Sequence, residues 1–86
     1  MNNHFNIQLF PNPASDQLII TLPEGLNENI AVLIFDASGK LIHQDNWSGL
    51  PTGSTQKIQL SDWADGLYLV RFKGDSFSQT ARIIKN

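Results

Sequence analysis

Apolar residues recur at every second position through most of this chain. Turn signals interrupt them at roughly ten-residue intervals. A period of two belongs to strands with one buried face, and no stretch sustains the period of an amphipathic helix. Seven runs carry the pattern: one around Phe5, Ile7 and Leu9, then Gln17–Leu22, Ile30–Asp36, Lys40–Trp47, Gln56–Leu60, Gly66–Lys73 and Phe77–Lys85.

The connections fit that reading. Pro11 and Pro13 lack backbone N–H groups and flank Asn12, so the first run ends in a stiff, polar link. Asp36-Ala37-Ser38-Gly39 predicts a tight hairpin, with Asp at the first position of a type I turn and Gly39 in the left-handed position. Seven strands with such turns predict an all-β, seven-stranded, immunoglobulin-like antiparallel β-sandwich without substantial helix. At 86 residues the chain is expected to form a single domain over 1–86, with 1–4 a leader.

The alternation also assigns faces. Leu18, Ile20 and Leu22 share one side of the second strand, and Tyr68, Val70 and Phe72 one side of the sixth. In Ile30–Asp36 the run is almost unbroken. Val32 and Ile34 are favoured inward, while a one-residue slip would place Leu33 and Phe35 there instead. Lys40–Trp47 is the weakest pattern and reads as an edge strand. Trp47, between Asn46 and Ser48, is expected near the surface. Ser61 is expected to cap a single helical turn, with Trp63 tucked into the core beneath it.

The chemistry is sparse. There is no cysteine, so disulfides and thiolate metal sites are excluded. A formal net charge of −2 gives no basic footprint for nucleic acid and no polybasic patch for a membrane. No apolar run reaches a membrane span, and the N-terminus lacks a signal-peptide pattern, so if the domain is exported its export signal lies elsewhere in a longer chain. His4 and His43 are expected to be solvated. Asp36, Asp62, Asp65 and Asp75 sit in turns without calcium-loop spacing. No nucleophile elbow, phosphate loop or zinc motif occurs, so no catalytic, cofactor or metal residue is expected and the chain does not read as an enzyme. Aromatic residues leave one alternative, an accessory carbohydrate-binding or adhesion module, which requires Trp47, Trp63 and Tyr68 in one solvent-facing row.

Four ordered stretches carry a resemblance. They are Phe10-Pro11-Asn12-Pro13-Ala14-Ser15-Asp16, Val32 through Asp36-Ala37-Ser38-Gly39-Lys40, Asp65-Gly66-Leu67-Tyr68 through Phe72, and Arg82-Ile83-Ile84-Lys85. Together they resemble the C-terminal sorting domain of the type IX secretion system, with Phe10 and Phe35 where tyrosine is more usual. The resemblance implies an address label at the end of a larger Gram-negative cargo protein. It implies passage through the periplasm, recognition by an outer-membrane translocon, and removal by a sortase at the cell surface. The implied sorting-motif residues are Pro11, Asn12, Pro13, Asp36, Gly39, Lys40, Gly66, Tyr68, Arg82, Ile83, Ile84 and Lys85. The implied partners are the translocon, the sortase and an N-terminal cargo domain, with no nucleic acid and no membrane insertion. The fourth strand and the terminal strand are candidate docking edges. Ile83 and Ile84 are expected to matter to the fold. Lys85 and Asn86 are expected at a fraying end that contributes almost nothing to it.

Overall fold

The computed structural model describes residues 6–24, 28–51 and 53–86. Phe5 and the proposed leader lie outside them. Seven strands follow in chain order: β1 Gln8–Phe10, β2 Gln17–Thr21, β3 Ile30–Asp36, β4 Leu41–Trp47, β5 Thr55–Gln59, β6 Gly66–Lys73 and β7 Ser78–Lys85. They form a three-stranded sheet, β1-β2-β5, and a four-stranded sheet, β4-β3-β6-β7. All five strand pairings are antiparallel. This is the immunoglobulin-type arrangement with the fourth strand moved onto the sheet of the third, sixth and seventh.

The core lies between the sheets. Leu18 and Ile20 of β2 and Ile58 of β5, with Leu22 and Leu60 just beyond those strands, face Val32, Ile34, Val70, Phe72 and Ile83. Val32 and Ile34 are the inward pair of β3, because the alternation puts Leu33 and Phe35 on the half-exposed side. Losing a fully buried side chain such as Phe72 costs about 3–5 kcal/mol, a large share of a small domain's stability.

Three expectations fail here. Trp47 is buried at 7% exposure, because it lies opposite Ile30 on the inward phase at the end of β4. Its ring lies 6.2 Å from that of Phe72, and its indole N–H donates to Asp45 Oδ2 at 3.0 Å. The polar neighbours Asn46 and Ser48 reported on the other face, not on Trp47. Residues 61–63 make a plain turn, closed by Trp63 N–H donating to Leu60 O at 2.9 Å, so Ser61 caps no helix. Trp63 is only half-buried, packed on the core's rim.

The terminus corrects a third reading. Lys85 is 8% exposed and Asn86 donates its N–H to Ala14 O at 2.9 Å, so this end is tied down. Ile83 is 1% exposed and plugs the core, whereas Ile84 is 45% exposed and does not.

Candidate functional site

The register of the four-stranded sheet brings the four sequence stretches to one end of the sandwich. Tyr68 lies between Asp36 on β3 and Ile83 on β7. Gly66 pairs with Lys85, and Lys85 forms a parallel bridge to Ala14 just after the Pro-Asn-Pro link. Residues far apart in sequence thus meet across three neighbouring lines of backbone.

The Pro11–Ala14 segment lies along the outer edge of β7. Ala14 N–H donates to Ile84 O at 2.8 Å. The Asn12 side-chain amide reads the same edge twice: its Nδ2 donates to Arg82 O at 3.1 Å, and its Oδ1 accepts from Ile84 N–H at 3.0 Å. Asparagine suits this task because one planar group offers both a donor and an acceptor. Gln79 makes the reciprocal contact further along the seam. Its Oε1 accepts from Ile7 N–H, and its Nε2 donates to Ile7 O, each at 2.9 Å. Two side-chain amides and Ala14 therefore join the sheets on this side. The peptide bonds preceding Pro11 and Pro13 are both cis.

The start of β6 is fixed by its own contacts. Tyr68 O–H donates to Ala64 O, four residues upstream, at 2.5 Å. This hydroxyl-to-backbone bond at the corner entering the sixth strand is the tyrosine corner of immunoglobulin-like sandwiches. The Tyr68 ring packs at 5.1 Å from Trp63, which in turn lies 6.1 Å from His43. Gly66 takes φ +147°, a region that disfavours side chains. Lys85 Nζ meets Asp65 Oδ1 at 3.3 Å, with the lysine stem buried and the carboxylate open to solvent.

The β3–β4 hairpin forms the other flank. Gly39 N–H donates to Asp36 O at 3.0 Å and Gly39 takes φ +89°, as the turn pattern predicts. Asp36 Oδ1 accepts from the Ser38 hydroxyl at 2.7 Å, the Ser38 N–H at 2.9 Å and the Lys40 N–H at 3.0 Å. The Ser38 hydroxyl first, and then the Lys40 amide, hold the Asp36 carboxyl below its ordinary range. A shallow open groove of about 230 Å³ separates Asp36–Ser38 from Ala64–Tyr68. Lys40 is exposed at the hairpin's end.

All twelve predicted residues therefore lie at this end, but they differ in kind. Asn12, Asp36, Gly66, Tyr68, Ile83 and Lys85 hold the architecture, while Lys40, the Arg82 side chain and Ile84 are presented to solvent. The twelve residues leave out Ala14 and Asp65, although both stand in the quoted stretches, and Gln79, which stands in none of them. Ala14 had one available signal, a small apolar residue following a proline in an otherwise polar link. No such signal marked Gln79. Among the described residues, no three His, Asp or Glu side chains gather as a metal-binding group, and no helix is long and apolar enough to cross a membrane. With Trp47 and Tyr68 buried, the aromatic row that a sugar platform requires does not form.

The model of the secretion system C-terminal sorting domain matches residues 8–86. The chain belongs to that family. It is a type IX secretion C-terminal sorting domain. No curated protein matches it. Among solved structures, dimeric latent PorU from Porphyromonas gingivalis is similar, with a TM-score of 0.64 and 22% identity. The match covers 94% of this sorting domain and 9% of the PorU chain, and at that identity it speaks to the fold.

Proposed function

We propose that this sorting domain acts as a folded, non-catalytic label that the outer-membrane translocon of the type IX system reads at its stapled end. Cargo attached on its N-terminal side crosses the periplasm with it and reaches the cell surface, where a sortase removes the label. The observation that carries this reading is the convergence of four separated motifs on one end of the sandwich. A fold needs such motifs only where each serves its own turn or strand. Side-by-side placement, with Lys40, Arg82 and Ile84 turned outward, suits a composite surface.

The Pro11–Ala14 segment follows β1, the first strand on the cargo side, and is bonded to β7. A label tied in this way presents its recognition end only when the whole domain has folded. Fusing residues 1–86 behind a periplasmic reporter, in a bacterium that has this system, should move the reporter outside the cell. A reporter that stays periplasmic, in a strain that exports it on an established sorting domain, would contradict the proposal.

A further inference from the structure

The solvent face of the four-stranded sheet departs from an ordinary polar exterior. Phe35 of β3 pairs with Leu41 of β4 on one side and Leu69 of β6 on the other. In the adjoining row Leu67 pairs with Ile84 of β7. Leu41 is 42% exposed and Leu67 38%, and Phe35 and Leu69 are half-exposed between them. Single exposed leucines are normal, but contiguous ones across four strands mark an interaction surface.

The charges on this face are of one sign. Arg71, Lys73 and Arg82 share the outward phase of β6 and β7, and all three are exposed. The chain has eight acidic residues and a formal charge of −2, yet no carboxylate lies on the outward phase of these four strands. Asp45 lies opposite Val32 on the inward phase of β4, Asp36 is engaged in its hairpin, and the others sit in turns and loops. A merely solvated sheet face mixes both signs. Here the acidic protein has kept one face free of them.

We infer that this face docks on a protein surface of the opposite character within the export machinery, apolar at its centre and acidic along the border that meets Arg71, Lys73 and Arg82. The inference rests on the sorting role proposed above and adds which face is read and by what chemistry. Charge complementarity selects the acidic border. The apolar residues Phe35, Leu41, Leu67, Leu69 and Ile84 all lie within strands and none sits at a loop tip that could enter acyl chains, which favours a matching solid surface over lipid.

The test compares export of the reporter fused to the full chain in three variants, each checked by its melting curve. R71E/K73E and L41S/L67S alter exposed positions on this face, and K57E reverses an exposed cation on β5 of the other sheet. The exported fraction should fall about tenfold or more in the first two and stay unchanged in K57E. If the charge reversal lowers the melting temperature, R71Q/K73Q carries the same comparison. Export of the unaltered fusion together with undiminished export of both face variants would overturn this inference while leaving the sorting role intact. Failure of the unaltered fusion would instead remove the sorting role and the inference with it. An equal loss in K57E would reduce the effect to overall charge. Sedimentation of the purified domain with anionic phospholipid vesicles, abolished by R71E/K73E, would assign the face to lipid and overturn the protein partner.

Discussion

The two outer edges of the four-stranded sheet are treated in opposite ways. On β7, the Ile84 N–H and C=O both point away from β6 and are both bonded, to Asn12 and Ala14. Both groups of a residue in an antiparallel ladder point the same way, and the direction alternates along the strand. Following that alternation through β6 and β3 places Gln44 of β4 with its groups turned to the free side. Among the described residues no strand lies there. The neighbouring outward N–H, that of Asn46, is bonded to the Asp45 side chain at 2.9 Å. One edge is thus closed by a second stretch of chain and the other is only blunted locally. Of the two docking edges expected from sequence, the terminal one is occupied over Arg82–Asn86, and β4 is the one left open. Closing an edge with a proline-bounded segment also explains how four motifs reach one end: the staple that protects β7 is itself one of them.

The largest effect should come from Tyr68, which supports both the corner and the aromatic contact beside the stapled edge. Tyr68→Ala is expected to cost about 3–5 kcal/mol in a denaturant melt. A neutral result would separate the stapled end from the core. Removing Lys85 and Asn86 takes away the bond to Ala14 and a buried lysine stem, and should cost about 1–2 kcal/mol. Melting curves that do not change would restore the fraying terminus and remove the contrast between the edges.

Acid should act through two carboxyls held by hydroxyl groups in turns and loops. Asp36 titrates below its ordinary 3.8, chiefly through the Ser38 hydroxyl, and Glu28 below its ordinary 4.5, chiefly through the Ser76 hydroxyl. Both carboxyls bind protons less readily in the folded than in the unfolded chain. Their contribution is therefore whole above pH about 5 and is lost as pH falls through those ordinary values and below. Asp36→Asn should flatten that acid limb in melts between pH 6 and pH 3, and an unchanged slope would place the acid sensitivity elsewhere.

Local rules recovered most of the strands. Gly66–Lys73 and Ile30–Asp36 are read correctly to the residue, because alternation is a property of the chain itself. The Asp36–Gly39 turn is equally local. Trp47 was misplaced because its burial depends on phase at the end of an edge strand, while its immediate neighbours are polar. The staple was out of reach for a different reason. Asn12 and Arg82 are seventy residues apart, and no periodicity says that one amide will read the backbone of a distant strand. The resemblance named both motifs without indicating that they touch.

Amide hydrogen exchange on the folded domain tests the stapled edge most directly, with Ile84 and Gln44 as the paired reporters. The Ile84 amide should be protected and the Gln44 amide should exchange quickly. Asn12→Ala should cost about 1 kcal/mol and speed exchange at Ile84 while leaving Gln44 as it was. An Ile84 amide that exchanges as fast as Gln44 in the unaltered protein, or one indifferent to Asn12→Ala, would show that the Pro-Asn-Pro segment does not hold the last strand.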